Sequence, residues 1–398
     1  MITTIALIIL LGLTANLLFI KLKLPGLLGM LILGVIIGPY ALDLMDELTL
    51  LISADLRRIA LIIILLRAGL GISRSSLNKI GFTALKISFI PGLLEGFSIA
   101  FLATKIFDFS LIEGGILGFI IAAVSPAVVV PKMLDYLKDK LGTNKGIPTL
   151  ILAGSSIDDV LAITMFTTFL GLYSGKHLNI GIQILSIPVS IILGIFLGII
   201  IGFLLLRVFR KYQIRDTKKV LLILGSALLL SAIENALKST IEIAALLGVM
   251  TIGFIILEKQ ADLAQRLALK FDKIWIFAEI LLFVLIGSQV NIRVALDSGL
   301  KGLLIIFVGL IARSLGVIIS THHAGLNWKE RFFCVFAYIP KATVQAAIGA
   351  IPLALGIPSG EIILAVAVLS ILLTAPLGAI LIKLSAPRLL HSEVDQLT

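Results

Sequence analysis

The chain has 398 residues, 59% of them hydrophobic and only 14% charged, with a mean hydropathy of +1.16. A soluble protein carries about 25% charged residues, so this composition excludes an ordinary globular enzyme and indicates a polytopic membrane protein. The net charge of +10 does not mark a nucleic-acid binder, because the basic residues fall in short loops on alternate sides of apolar runs, and the single cysteine, Cys334, excludes an internal disulfide framework.

Runs of about 17–25 apolar residues, the length that spans a bilayer, occur thirteen times: 2–20, 25–41, 56–72, 80–105, 111–134, 148–173, 179–206, 218–236, 240–257, 273–290, 299–321, 331–355 and 360–384. The expected fold class is an all-α polytopic membrane protein of about thirteen transmembrane helices. The first run lacks a basic segment before it and is followed by Lys21 and Lys23. It reads as a membrane helix with its N-terminus outside, not as a cleaved signal. On that start, the loops after odd-numbered runs and the C-terminal tail hold 22 of the 33 Lys and Arg residues, against seven on the other side. The bias predicts an N-out, C-in orientation. Polar connections run to roughly 15 residues, too short for a soluble domain, so residues 1–398 read as one transmembrane unit.

Taken in order, the fourth run carries Glu95, deep in apolar sequence. The fifth contains AAVSPAVVVPKML, with Pro126 and Pro131 inside the run. Each proline removes a backbone donor and opens the helix, so carbonyls near Val128 and Val129 are expected to be free at membrane depth. The sixth run, LILAGSSIDDVLAITMFTTFLGLY, has no Lys or Arg and places Asp158 and Asp159 side by side near its middle. A charge at that depth costs at least ~2.5–3.5 kcal/mol, so an adjacent pair reads as an ion or proton site. On a helix the two point about 100° apart. One lines a cavity while the other turns toward a neighbouring helix and a basic partner. Two close carboxylates in a dry site do not both ionise easily, which suits competition between a proton and a hard cation. Asp159 is the expected ion carrier. Ser155, four residues before it, shares its face and offers an oxygen ligand.

The eleventh run carries Arg313, and mutual pairing with Glu95 is the economical arrangement for two buried charges, with a structural strut as its simplest role. The twelfth contains FAYIPKATVQAAIGAIP, with a second interruption at Pro340 and the polar residues Thr343 and Gln345. Lys341 follows that proline. It either neutralises Asp158, gates the opposite face, or offsets freed carbonyls at the break. The two interrupted helices lie seven runs apart, so they enter the bilayer in opposite directions, the signature of an inverted repeat around a midplane site. Glu234, Glu242, Glu279, Arg67 and Lys86 read as interface, snorkelling or dimer-contact residues. His177, His322, His323 and His391 show no metal-ligand spacing, and His322–His323 is the only pair with a pH-sensing character.

AGSSIDDVLAI, AAVSPAVVVPKML and YIPKATVQAAIGAIPLA, in that set, resemble the monovalent cation/proton antiporter superfamily, of the sodium/hydrogen exchanger kind and closest to NHA-type sodium/proton antiporters. The likeness extends over nearly the whole chain. It implies a homodimer in the cell membrane that exchanges Na+ or Li+ for H+ by elevator-type alternating access, with Na+ at Asp158 and Asp159, no cofactor, and lipid as its surroundings. It further implies an ion-translocating core of residues 80–175 and 298–386, a dimerisation part of 1–75 and 215–295, and a linker helix at 177–212. Glu95 and Arg313 match a salt-bridged pair, and Lys341 matches the lysine after the second helix break. Some two-aspartate antiporters of this group carry lysine where this chain has Arg313, which puts a two-proton stoichiometry in question.

The nearest rival is a potassium/proton antiporter of the same fold. An intramembrane aspartyl protease needs its two aspartates on separate helices, and a prenyltransferase needs further acids a turn apart for magnesium diphosphate; neither pattern is present.

Overall fold

Inside a bilayer every backbone N–H and C=O must find a partner within the protein, and an α-helix achieves this locally. The computed structural model describes residues 1–22, 24–174, 180–237, 241–291, 293 and 299–390. Lys23, Lys176, His177, Lys238 and His391 lie outside the described residues. Among the described residues all regular structure is helical: α1 (Ile2–Lys21), α2 (Gly26–Ile37), α3 (Glu47–Leu51), α4 (Ser53–Gly69), α5 (Arg74–Ile106), α6 (Leu111–Ile121), α7 (Pro126–Lys138), α8 (Ile147–Tyr173), α9 (Ile180–Lys211), α10 (Asp216–Leu237), α11 (Ala245–Lys259), α12 (Ala261–Ser288), α13 (Gly299–Ser320), α14 (Trp328–Ala337), α15 (Thr343–Ile348), α16 (Ile351–Ala354) and α17 (Gly360–Leu389).

Each of the thirteen apolar runs has a helix or a set of helices in its place. Eight of the described segments are long and apolar enough to cross a membrane. The others fall short for visible reasons. α2 has 12 residues and α11 has 15, while α4 and α12 carry several charges along their length. The apolar residues on the outside of α1, α9 and α13, such as Leu10, Phe196 and Phe307, are more than half exposed, as a lipid-facing surface requires.

The helices pack in two groups. One joins α5 to α8 with α13 to α17; the other joins α1 to α4 with α10 to α12. α9 lies mainly on α11 of the second group. The groups meet through α4 on α7, α8 on α9 and α8 on α11. Small residues bring backbones together inside each group. A Cβ at Gly34 would lie 2.1 Å from the Val284 carbonyl oxygen, and one at Gly287 would lie 2.1 Å from that of Leu31, so α2 and α12 touch only because both positions are glycine.

Two segments of the first group are interrupted. α6 starts with a capping box, in which the Ser110 side chain accepts from the Glu113 N–H and Glu113 accepts from the Ser110 N–H. It ends at Ile121, and four residues pass before α7. α14 starts with the same device, built by Asn327 and Glu330. It ends at Ala337, and five residues pass before the short helices α15 and α16.

Candidate functional site

The first interruption follows from proline chemistry. Pro126 occupies the first position of α7, where its missing N–H costs nothing to that helix. It cannot donate back to Ala122, so that carbonyl is left open. Val128 and Val129 lie inside α7, and Pro131 leaves the Ala127 carbonyl beside them without its helical donor. The break itself opens the carbonyls of residues 120–123, because a proline at a helix start places the break before itself. Pro131 is carried within α7 without ending it.

The freed groups are taken up by side chains from distant helices. Arg313 Nη1 donates to the Ala122 carbonyl at 2.5 Å. Gln345 Nε2 lies 3.0 Å from the carbonyl oxygens of Ile120 and Ala123 and 3.3 Å from that of Ile121. The Val124 N–H donates to Asp158 Oδ2 at 2.7 Å. The two interruptions also bond to each other, since the Ser125 N–H donates to the Pro340 carbonyl at 2.8 Å. At the second break the Lys341 N–H is received by Thr374 Oγ1 at 2.9 Å.

Around these two breaks lie five buried ionisable groups. Arg313 reaches Glu95 Oε2 through Nη1 and Asp158 Oδ2 through Nη2, both at 2.7 Å, and its Nε donates to the Tyr338 carbonyl at 2.8 Å. Lys341 Nζ donates to Glu95 Oε2 at 2.6 Å. Of the two acids near it, Lys341 makes its direct contact with Glu95, while Arg313 makes the direct contact with Asp158. Glu95, Asp158 and Lys341 are 0% exposed and Arg313 1%. Two acids and two bases thus form a balanced, dry network. Gly92 makes room for it, since a Cβ there would lie 2.9 Å from Asp158 Oδ1.

Asp159 is the fifth group, and among the described residues it has no cationic partner. Its Oδ1 is buried without a hydrogen-bond partner. It lines a cavity of about 150 Å³ together with Ser156, Thr164, Thr167, Glu234, Glu242 and Arg58. The expected ligand Ser155 is not on that wall. It is fully buried and its hydroxyl donates to the Leu152 carbonyl at 3.2 Å. Ser156, three residues before Asp159, takes the place on the cavity, because one turn of helix offers both i−3 and i−4 positions and the neighbouring packing selects between them. Thr343 is the first residue of α15, with its hydroxyl oxygen unpartnered, but it does not line this cavity; Gln345 keeps only Oε1 unpartnered.

A second cavity, of about 370 Å³, is lined by Arg67, Val128, Lys132, Asp135, Glu279 and Lys383 among others. Arg58 and Arg67 sit nine residues apart on α4, so the two cavities are offset by about 13 Å along it. Arg58 forms an ion pair with Glu234, and Arg67 with Asp272. Both arginines serve internal contacts here. His322 and His323 pack ring to ring at 4.6 Å and lie by Arg331, apart from these cavities.

The features that sequence reasoning missed are Gly92 and the Ala122 carbonyl, which could be sought one helix away at a small residue and at i−4 from Pro126.

The chain matches the family described as sodium/hydrogen exchanger, transmembrane, over residues 5–384. It is 36% identical over 392 residues to human sodium/hydrogen exchanger 9B2, covering 94% of this chain and 71% of that protein. To human sodium/hydrogen exchanger 9B1 it is 34% identical, covering 94% of this chain and 74% of the other. Its fold is similar to that of the sodium proton antiporter MjNhaP1 from Methanocaldococcus jannaschii, with a TM-score of 0.79, 21% identity and 98% of each chain covered.

Proposed function

Since the chain belongs to the sodium/hydrogen exchanger family, we propose that it is a secondary active antiporter exchanging Na+ or Li+ for H+, with Asp159 as the carboxylate the two share. The observation that carries this reading is the charge arrangement at the helix breaks. Glu95 and Asp158 are held by Arg313 and Lys341, while Asp159 has no ion pair among the described residues and lines a cavity. An ionised carboxylate so placed is costly without a counter-charge, so it carries either a cation or a proton. Hydroxyl and carboxylate oxygens around it suit a hard alkali cation.

Thirteen helices cross the membrane, with the N-terminus outside and the C-terminus inside, as the distribution of Lys and Arg supports. The two interrupted segments are the crossing helices of an inverted repeat; the matching capping boxes at their starts and the bond between their breaks support that reading. Residues 80–175 and 298–386 move as the translocating core against a dimerisation part of 1–75 and 215–295, joined by the linker 177–212. The narrow contact between the two packing groups supports such a division. The exposed apolar face of α1 supplies a surface for a second copy and for lipid.

Stoichiometry follows from Arg313. It stays protonated at any biological pH and holds Asp158 in place, so Asp159 is the single exchanging acid and each sodium moves against one proton. Exchange is then electroneutral.

In proteoliposomes with an imposed pH gradient, sodium and lithium dissipate the gradient and potassium does so weakly. Asp159→Asn abolishes this, and clamping the membrane potential leaves the native rate unchanged. Gradient dissipation persisting in Asp159→Asn overturns the site assignment, and a rate that follows the clamped potential overturns the one-proton count.

A further inference from the structure

α5 is not a continuous helix. At Gly81 its backbone takes φ 46° and ψ −136°, a conformation that a residue with a Cβ rarely adopts. The break leaves a short piece, residues 74–80, and a long one, residues 82–106. The long piece packs into the first group, on α6, α8 and α13, with backbones as close as that of Gly96 on Gly118 and that of Pro91 on Gly316.

The short piece is tied to the second group instead. The Arg74 N–H, first in the helix, donates to Glu258 Oε1 of α11 at 2.9 Å, so a carboxylate meets the positive end of the helix. The chain reaches Arg74 from the end of α4 through residues 70–73 alone, and α4 ends locked on α11. A Cβ at Gly69 would lie 2.0 Å from the Met250 carbonyl oxygen, and one at Gly253 would lie 2.7 Å from that of Leu66. Beside Gly81 lies a cavity of about 320 Å³, walled by Ala84 of α5, Ile157 of α8, Ile199 of α9, and Met250 and Phe254 of α11. Protein interiors are otherwise close-packed, so space of this size between the groups gives Ala84 and Ile157 room to shift against α9 and α11.

We propose that Gly81 is a joint of the moving core, and that residues 74–80 stay with α4 and α11 when the rest of α5 moves. The proposal rests on the moving-core reading above and says where the chain absorbs the motion between α4 and α5. A hinge needs a residue whose backbone can turn while the pieces on either side keep their packing. Gly81 has that freedom, with different partners holding the chain before and after it.

Three cysteine pairs test this in proteoliposomes, each closed by the same short bismaleimide and read by sodium-driven proton movement. Cys334 is fully buried and does not compete for the reagent. Bridging Arg74→Cys to Glu258→Cys, at two exposed positions, leaves the rate within about twofold of the unbridged protein. Bridging Ala84→Cys to Phe254→Cys, across the joint, lowers it at least about tenfold. Bridging Lys132→Cys to Ile276→Cys, on α7 and α12 in the larger cavity, stops exchange wherever the hinge lies. Gly81→Ala adds a Cβ with nothing within 4 Å of it, so it acts through the backbone alone and lowers turnover about tenfold by favouring an unbroken helix. Exchange stopped by the 74–258 bridge, exchange that survives the 84–254 bridge while the 132–276 bridge stops it, or native turnover in Gly81→Ala each overturns the joint. Exchange that survives the 132–276 bridge overturns the moving-core reading itself, a different result from any of these.

Discussion

At the residue scale the central group is Arg313, whose planar fork holds two carboxylates and two backbone carbonyls from four different segments. A lysine at the same place keeps the charge but offers a single nitrogen and no fork. Arg313→Lys therefore leaves at least one buried acceptor unmet and lowers stability by about 1–3 kcal/mol. Arg313→Ala strands the buried Asp158 carboxylate, leaves Glu95 to Lys341 alone, and costs about 3–5 kcal/mol. Thermal unfolding of the purified protein in detergent should rank native above Lys above Ala; a lysine variant as stable as the native protein would show that the fork is dispensable. The Glu95–Arg313 pair was legible in the sequence, because two isolated charges in apolar runs must find each other. The partner of Lys341 was not. Which of two nearby acids a buried lysine meets depends on helix rotation and on the path of the 338–342 segment, and neither leaves a mark in composition or spacing.

At the element scale the interruptions decide where the site can form. Their existence was readable from Pro126 and Pro340. Their exact carbonyls were not, because a proline at the first position of a helix opens the residues before it rather than those after. The second break is also set by its neighbour α17. A Cβ at Gly378 would lie 2.3 Å from Pro340 Cγ and 2.6 Å from Cδ, and a proline ring cannot swing away. Gly378→Ala should displace the 338–342 segment, lower the unfolding temperature and slow exchange. Gly225→Ala, in α10 with nothing within 4 Å of the added Cβ, should raise stability by up to about 1 kcal/mol through helix propensity alone. Opposite shifts for the same chemical change, measured side by side, test whether packing at the break governs the result. Gln345→Leu adds a second check on the first break. It withdraws the donor shared by Ile120, Ile121 and Ala123, at about 1–3 kcal/mol, and hydrogen exchange should rise locally over residues 120–125.

At the scale of the whole molecule, both cavities lie between the packing groups, and ion pairs across that junction are expected to bias which of them admits solvent. On the side of the larger cavity, Asp272 on α12 takes both Arg67 of α4 and Lys138 of α7, the latter at 2.6 Å, while Arg67 also stands 3.9 Å from Asp135. α7 belongs to the group that carries the aspartates, so the Lys138–Asp272 and Arg67–Asp135 pairs tie the two packing groups together on this side. Asp272→Asn releases both bases from one change. Pairs of this exposure are worth about 0.2–1 kcal/mol, enough to shift the balance of two states by up to about fivefold. Cys334 is fully buried, so single engineered cysteines report cleanly on access. Val128→Cys lies on the larger cavity and is buried in this conformation; its labelling by a charged maleimide should speed up in the Asp272→Asn background. Ile163→Cys lines the Asp159 cavity, and its labelling should slow. Changes in the same direction would mean general loosening, and no change would mean that these pairs do not set the balance. Only opposite changes at the two positions fit a protein that opens one face by closing the other.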